Sequence, residues 1–288
     1  MTLWPGTPDG LLTVSGHAGA KLHMERFSPA SGESTTSLIF LHGIGAYAGP
    51  LRRFARDLAD HGISAYLPDL RGHGRSGVLR GEMGSPGEVL ADIASMVEHV
   101  RAEHPGGEVV LGGESMGGLI ALAYAASTQS PPDRLILLAP ALRARWKNAP
   151  FFSKNKAPRP LPGDRLPGTG FALHGPVPAE TIRDHAFRNA NLADPMMLQR
   201  GTLTYMAVIG RLMVGWSVRY PARVPQPTLL IHGDHDSVLY ADATEVLHRK
   251  LAHSEMHVIE GAWHNILWDP TREATTDIIL EWLLRPRS

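Results

Sequence analysis

The fold of this chain is decided by residues 108–118, EVVLGGESMGG, in which an apolar run ends in a serine flanked by glycines. The run has the character of a buried strand, and the apolar residues 119–126 that follow suit a helix. Glycines two positions before and after Ser115 leave room for a tight turn that exposes its hydroxyl. G-x-S-x-G recurs by chance, but its strand–turn–helix context predicts Ser115 as a nucleophile; the alternative is a bystander serine in a glycine-rich turn.

Short apolar runs with the same character recur on both sides of this motif. Bounded by Gly, Pro or Asp, they lie at residues 37–41, 63–67, 134–138, 228–231 and 256–259. The segments 51–61 and 86–104 between them carry one apolar helix face each. Residues 11–17 and 21–27 are typical of an antiparallel hairpin. The alternation predicts an α/β fold with a mostly parallel sheet, whose functional sites lie at the carboxyl ends of the strands.

The alternation stops between residues 141 and 227, which hold 11 of the 23 prolines of the chain. Proline removes a backbone donor and disfavours helix interiors and central strands, so this segment reads as an insertion. We therefore expect a body made of residues 1–140 and 223–288, and a cap, or lid, made of residues 141–222.

The second half of the cap has an apolar stripe at helical spacing. The stripe consists of Leu203, Met206, Ile209, Met213 and Trp216. Two interpretations remain open for these residues, namely packing of the cap onto the body and contact with a substrate. We take Leu203, Met206, Ile209 and Met213 as candidate substrate-binding residues.

A serine hydroxyl needs a base, and the base needs an orienting acid, in the chain order Ser, acid, His for this kind of turn. His264 follows the last apolar run and is the predicted base. The preceding run ends in residues 232–236, HGDHD, which offer two acids. Asp236 is preferred because it can clear the strand end, whereas Asp234 is expected to bond its own turn backbone. A metal site in this cluster is the alternative, but we predict none, since the strand ends inside the cluster and only some of its side chains can converge.

Two backbone amides are candidates for binding an oxyanion. The Met116 N–H lies at the start of the helix after the serine. The Ile44 N–H lies in the glycine-rich turn at residues 42–45, HGIG, whose alternative interpretation is an ordinary strand-end turn. Residues 69–76, DLRGHGRS, lack the Gly-Lys-Ser/Thr ending of a phosphate loop and predict a structural loop near the site.

The motifs that carry a family resemblance are residues 42–45, 69–76, 113–117 (GESMG), 232–236 and 261–264 (GAWH). Together they resemble the α/β-hydrolase superfamily, and most of all its monoacylglycerol lipase and lysophospholipase-like branch (serine aminopeptidase S33 type). The resemblance implies an eight-stranded, mostly parallel sheet flanked by helices, with the cap inserted after strand 6. It also implies Ser115, Asp236 and His264 as a catalytic triad, Ile44 and Met116 as oxyanion donors, and ester hydrolysis without a cofactor. The proline-rich residues 150–178 match no pattern of the family.

The function hypothesis is a serine carboxylester hydrolase (esterase or lipase) acting on hydrophobic acyl groups. The alternative within the fold is another serine-dependent reaction: lactone, amide, thioester or C–C hydrolysis, or acyl transfer. A third hypothesis is a binding protein that kept the fold and lost the chemistry. Such a protein should lack a member of the triad, whereas every member is present here in the required order.

Composition narrows the classes of partner. Lys and Arg together number 28, and so do Asp and Glu. Because the chain has no excess of basic residues, we do not expect it to bind nucleic acid. The chain has no cysteine, which excludes thiolate metal sites and a cysteine nucleophile. The start does not resemble a signal peptide, and no apolar run approaches the roughly 18 residues of a membrane span. We therefore expect a cytoplasmic protein, without integral membrane association, that acts on a small-molecule ester.

Overall fold

The computed structural model describes residues 4–32, 34–77, 79–145, 171–172, 182–198 and 200–285. Its strands, in chain order, are β1 (Gly10–Ser15), β2 (Lys21–Phe27), β3 (Thr36–Leu41), β4 (Ser64–Pro68), β5 (Glu108–Glu114), β6 (Arg134–Leu138), β7 (Phe171–Ala172), β8 (Arg200–Gly201), β9 (Thr228–Gly233) and β10 (Ser254–Ile259). Its helices are α1 (Arg52–Asp60), α2 (Pro86–Glu103), α3 (Met116–Ala125), α4 (His185–Ala193), α5 (Leu203–Met213), α6 (Ala241–Lys250) and α7 (Arg272–Leu284). No helix among the described residues is long and apolar enough to cross a membrane.

Eight of the strands form one sheet in the order β1-β2-β4-β3-β5-β6-β9-β10. The hairpin β1–β2 is antiparallel and joins β4 antiparallel, and from β4 to β10 every pairing is parallel. This arrangement confirms the predicted α/β-hydrolase sheet. Every residue of β4, β5 and β9 is buried, as expected for parallel strands covered on both faces. The two edge strands, β1 and β10, are partly exposed.

Successive residues of a strand point to opposite faces of the sheet, and β3 shows how this divides the core. Leu38 and Phe40 pack on one face with α1 and α7, whereas Ile39 and Leu41 pack on the other with α2, α3 and α6. The side chains of these apolar runs therefore belong to two separate hydrophobic cores, one on each face of the sheet. Because both faces are covered, polar side chains that follow the strands are left at the strand ends, where the candidate site residues lie.

The turn between β5 and α3 is sterically demanding. Ser115 has a φ of 52°, in the left-handed region that non-glycine residues rarely adopt. A Cβ at Gly113 would lie 2.4 Å from the carbonyl carbon of Gly117, and one at Gly117 would lie 2.3 Å from the Leu41 carbonyl oxygen. Only glycine fits at both positions, which is the reason for the glycine spacing in the motif.

Backbone hydrogen bonds hold this turn in place from the neighbouring strand. The Ser115 N–H donates to the Leu138 carbonyl over 2.9 Å, and the Ala141 N–H donates to the Ser115 carbonyl over 2.9 Å. Both partners lie at the end of β6 or just beyond it. The strained residue is therefore fixed by the sheet, which is the condition under which such strain persists.

The described part of the segment between β6 and β9 contains α4 and α5, and it is bonded to the body near the turns that follow β3 and β4. The Leu198 N–H donates to the Gly45 carbonyl over 2.7 Å, and the Thr202 N–H donates to the Gly81 carbonyl over 2.9 Å. Thr202 also caps α5 by accepting the Tyr205 N–H. The cap boundaries 141–222 and its insertion after strand 6 stay a prediction. Apart from residues 171–172, the proline-rich stretch 150–178 lies outside the described residues.

The buried face of α5 differs from the predicted apolar stripe. Its buried residues are Tyr205, Val208, Ile209 and Leu212. Of the predicted stripe, Ile209 is buried, Met206 and Met213 are half-buried, and Leu203 is 53% exposed. Trp216 lies beyond the end of the helix. Ile209 belongs to the core, and Met206, Met213 and Trp216 pack against it, so the stripe contributes to packing. The buried face also includes Tyr205, which the predicted stripe did not contain.

We expect Gly117→Ala to destabilise the fold, because the new methyl would lie against the Leu41 carbonyl oxygen at the end of β3. The expected loss in the free energy of unfolding is about 1–3 kcal/mol, typical of overpacking. Gly210→Ala in α5 is the matched control, because nothing lies within 4 Å of its new methyl group. It should stabilise the protein by up to about 1 kcal/mol. Urea unfolding measures both, and equal effects of the two substitutions would contradict the steric account.

Candidate active site

Three candidate residues from separate strand ends meet in one hydrogen-bonded chain. Ser115 follows β5, Asp236 follows β9 and His264 follows β10, and these parallel strands end at the same edge of the sheet. The Ser115 Oγ lies 3.1 Å from the His264 Nε2, and the His264 Nδ1 lies 2.8 Å from the Asp236 Oδ2. The structure thus brings together the three residues that the sequence singled out as nucleophile, base and acid.

The Asp236 carboxylate is buried and fully occupied by donors. Its Oδ1 accepts the N–H groups of Val238 and Leu239 over 2.7 and 2.8 Å, and the His232 Nε2 lies 3.0 Å from its Oδ2. Burial by itself would raise the pKa of the Asp236 carboxyl. The charge of His264 and the hydrogen bonds from His232 and His264 outweigh burial and hold that pKa well below its ordinary value. The group is therefore ionised throughout the neutral range.

His264 is oriented by that carboxylate. Burial lowers the pKa of its imidazole, but the charge and hydrogen bond of Asp236, with a smaller contribution from Glu114, raise the pKa above its ordinary value. Because the carboxylate accepts from Nδ1–H, the neutral ring carries its lone pair on Nε2, toward the serine. This tautomer is the one required for proton uptake from Ser115.

The second acid of the cluster, Asp234, does not reach His264. Its Oδ1 lies 2.7 Å from the His235 Nδ1 and accepts the Gly261 N–H over 2.7 Å. Asp234 therefore joins the loop after β9 to the loop after β10. Its carboxylate also accepts a hydrogen bond from its own backbone amide, as expected from the sequence. The polar side chains of residues 232–236 are split between the buried site and the surface. Within the described ranges, no group of three or more His, Cys, Asp or Glu is arranged to hold a metal ion.

The turn after β3 lies directly beside the serine. A Cβ at Gly43 would lie 3.6 Å from the Ser115 Cβ, so the backbone before Ile44 closely approaches the turn between β5 and α3. Met116 is the first residue of α3, and N–H groups in a first helical turn have no intrahelical acceptor. Both candidate oxyanion donors are thus on backbone that borders Ser115.

The buried, neutral side chain of His42 holds this turn in place. The His42 Nδ1 lies 2.8 Å from the Gly43 carbonyl oxygen, and its Nε2 accepts the Leu70 N–H over 3.0 Å. Burial, and then the nearby His73, lower the pKa of His42 well below its ordinary value. A neutral ring that donates through Nδ1 and accepts through Nε2 satisfies both contacts, so His42 joins the turn after β3 to the loop after β4.

Residues 69–76 form a structural loop, as their sequence predicted. The buried Asp69 carboxylate accepts the N–H groups of Ala48 and Arg75 over 2.8 and 2.7 Å. The Ser76 hydroxyl donates to the Asp69 carbonyl and accepts the His23 N–H. These polar groups are used in holding the loop to β2 and to the turn after β3.

Tyr205 is a site residue that the sequence reasoning missed. Its buried hydroxyl lies 2.9 Å from the His73 Nε2, accepts the Gly45 N–H over 3.4 Å and contacts the Met116 Sδ at 3.5 Å. Burial lowers the pKa of His73 to about 4, so this ring is neutral and accepts the hydroxyl proton, since its Nδ1 faces the Arg71 carbonyl. Tyr205 directly precedes Met206 of the predicted stripe, and only the tertiary fold shows that the buried face of α5 includes it.

Glu114, the residue before the serine, is a buried carboxyl without an assigned role. It is 4% exposed, and its Oε1 has no hydrogen-bond partner within the described structure. Burial raises its pKa to about 7, against smaller opposing contributions from His264 and from the backbone amide of Gly43. The motif specifies only the glycines and the serine, so no sequence signal marked this position.

Comparison with known proteins now places the chain in a family. The sequence profile of the family described as "Serine aminopeptidase, S33" matches residues 32–271. The chain belongs to this family. The match covers β3, β5, β9 and β10 together with all three residues of the hydrogen-bonded chain.

Relatives and solved structures agree with the family assignment. The chain is 26% identical to a monoacylglycerol lipase of Mycolicibacterium smegmatis over 283 residues, which covers 94% of this chain and 96% of that protein. It is 25% identical to the caffeoylshikimate esterase of Arabidopsis thaliana, covering 91% and 82% of the two chains. A monoglyceride lipase from Saccharomyces cerevisiae, solved with a substrate analog, superposes with a TM-score of 0.81 at 19% identity over 98% of each chain. This S33 family member therefore shares the fold of that structure.

We expect Tyr205→Phe to lower the free energy of unfolding by about 1–3 kcal/mol, because it leaves His73 Nε2 and the Gly45 N–H buried without their partner. Tyr220→Phe is the matched control, since it removes a tyrosine hydroxyl without breaking a hydrogen bond within the described residues. Urea unfolding compares the two variants. A loss no larger for Tyr205→Phe than for the control would contradict the inferred anchoring of α5.

Proposed function

We propose that this S33 family member is a serine hydrolase that cleaves carboxylic esters of hydrophobic acyl groups through an acyl-enzyme. One observation carries the proposal: the continuous hydrogen-bonded chain from Ser115 through His264 to Asp236, on a strained turn at the strand ends. The printed names of its relatives, among them monoacylglycerol lipases and an esterase, favour an ester as the bond that is cleaved.

Acylation starts when the Ser115 Oγ attacks the acyl carbon while its proton passes to the His264 Nε2. The Asp236 carboxylate stays ionised and stabilises the imidazolium that forms. The carbonyl electron pair moves to oxygen, where the N–H groups of Ile44 and Met116 would bind the oxyanion. Each such donor typically contributes about 2.7–4 kcal/mol to the stability of the transition state.

Collapse of the tetrahedral intermediate breaks the ester C–O bond and leaves the acyl group on Ser115. His264 gives its proton to the departing alkoxide, which leaves as the alcohol. Water then attacks the acyl carbon and gives a proton to the neutral His264, and a second collapse releases the carboxylic acid and restores the serine hydroxyl. The cycle needs no group other than these side chains, the backbone donors and water.

We infer the substrate class from the apolar residues of α5 and from the equal numbers of acidic and basic residues in the chain. Met206 and Met213 are half-buried, Leu203 is exposed and Ile209 is buried. All four are apolar residues of the helix whose Tyr205 hydroxyl contacts Met116, next to Ser115. We propose these four residues as the acyl-binding surface. The equal numbers of acidic and basic residues favour an uncharged substrate, such as a monoacylglycerol.

We expect the protein to hydrolyse p-nitrophenyl esters, with kcat/KM rising from acetate toward medium-chain acyl groups. Ser115→Ala should lower kcat by about 10⁴-fold or more, because no nucleophile remains. Ser127→Ala, at an exposed serine just after α3, is the matched control and should leave kcat unchanged. If both variants kept full activity, the mechanism would be overturned. Cleavage of aminoacyl p-nitroanilides with inert esters would instead favour the amide reaction that the family description suggests.

We expect Asp236→Asn to lower kcat by about 10⁴-fold, because the amide no longer stabilises the imidazolium or its required tautomer. Asp234→Asn removes the same charge two residues away, where the carboxylate bonds His235 and Gly261. It should keep most of the activity. Steady-state rates on one ester compare the two variants, and a dead Asp234→Asn beside an active Asp236→Asn would move the acid role to Asp234.

A further inference from the structure

A second buried carboxyl group lies next to the nucleophile, beside the hydrogen-bonded chain that ends at Asp236, and has no part in the mechanism above. Glu114 ends β5, directly before Ser115, and its side chain is enclosed rather than directed to solvent. A Cβ at Gly43 would lie 3.5 Å from the Glu114 Oε1, so the carboxyl lies close to the turn that follows β3. The unpartnered Oε1 means that no donor of the described structure neutralises its charge there.

Burying a carboxyl that has one oxygen without a hydrogen-bond partner is costly, so a structural role alone does not explain it. A side chain that only filled this space would be better served by an apolar residue of the same size. Two groups act on the carboxyl from the elements around it: His264, from the loop after β10, and the backbone amide of Gly43, from the turn after β3. Of these, only His264 changes its charge during the reaction.

The electrostatic coupling between the two side chains is reciprocal. Cationic His264 lowers the pKa of Glu114, and ionised Glu114 raises the pKa of His264. Asp236 acts on the same imidazole from its Nδ1 side. His264 therefore interacts electrostatically with two carboxyl groups, of which Asp236 stays ionised and Glu114, with a pKa of about 7, titrates in the working range.

We propose that Glu114 is a positioning residue that acts through His264: as a second carboxylate beside the imidazole, it stabilises the imidazolium and sets the pH at which the base becomes neutral. The inference rests on the proposed serine hydrolase mechanism, in which His264 must be neutral to accept the Ser115 proton. No bond is formed or broken at Glu114, and only its proton exchanges with solvent.

The sign of the effect follows from the charges. With Glu114 ionised, His264 holds its proton to a higher pH, and the acid limb of the kcat/KM profile lies correspondingly higher. Removing the carboxylate should lower the apparent pKa of that limb. The limb should move by about half a pH unit or more, within the range that a nearby charge produces.

Glu114→Gln tests the proposal with a side chain of the same shape. We expect its kcat/KM profile on a p-nitrophenyl ester, scaled to its own plateau, to have the acid limb displaced to lower pH. Glu114→Met, which also removes the charge, should give the same displacement even if its plateau differs. Glu260→Gln is the matched control, because this exposed glutamate lies four residues before His264 and its charge is screened by water. It should leave the limb where it is.

Two measurements without substrate accompany the profile. The NMR titration of the His264 ring should show a lower pKa in both Glu114 variants than in the wild type. The folded state raises the pKa of Glu114 from an ordinary 4.5 to about 7, so wild-type stability relative to Glu114→Gln should fall as pH rises from 4.5 to above 7. Well below pH 4.5, where the carboxyl is protonated in both the folded and the unfolded state, this penalty is absent.

An unchanged acid limb together with an unchanged His264 titration in both Glu114 variants would overturn the proposal and leave Glu114 a structural residue. A limb displaced equally by Glu260→Gln would also overturn it, because the effect would then be one of general charge. Failure of ester hydrolysis itself would appear as an absent Ser115-dependent rate. It would leave the NMR and unfolding measurements able to test the Glu114–His264 coupling separately.

Discussion

The close approach of the first turn of α3 to the end of β3 is the constraint on which the rest of the site depends. Because Gly117 lies against the Leu41 carbonyl, the chain must reverse sharply at Ser115, and this residue takes a positive φ. The reversal directs the hydroxyl toward His264, places the Met116 N–H beside it and encloses Glu114 beneath the same turn. A single steric requirement thus organises the nucleophile, one candidate oxyanion donor and the buried carboxyl.

Burial gives the charges around this turn their strength. The ends of β5, β9 and β10 bring Glu114, Asp236 and His264 into a region shielded from water, where charge–charge interactions are weakly screened. The two carboxyls differ because Asp236 has four neighbouring donors, whereas Glu114 has an oxygen with none. Neutral His42 and His73 hold the surrounding turns without adding charge. The site therefore has one carboxylate that stays ionised, one carboxyl that titrates near neutral pH, and a histidine that interacts electrostatically with both.

The sequence predicted the features that depend on local patterns. Apolar runs located the strands, and strand-end position selected Asp236 over Asp234 as the acid, since the side chain three residues past Gly233 is the one that reaches the histidine. What it missed depends on tertiary contacts. The packed face of α5 is turned toward Tyr205 because its hydroxyl finds partners on two body loops, which helical spacing cannot show. Glu114 occupies a variable position of its motif, and its meaning comes from Gly43 and His264, which are distant in sequence.

The proposed mechanism requires Ser115 to carry the acyl group during turnover, and trapping that intermediate is the sharpest test of it. The protein would be mixed with excess p-nitrophenyl butyrate, quenched in acid within the first turnovers and digested for peptide mass mapping. We expect an added butyryl mass on the peptide that contains Ser115. The corresponding peptide of Ser115→Ala, treated in the same way, should not carry it. A butyryl group on another residue of the wild type, together with normal turnover by Ser115→Ala, would contradict it.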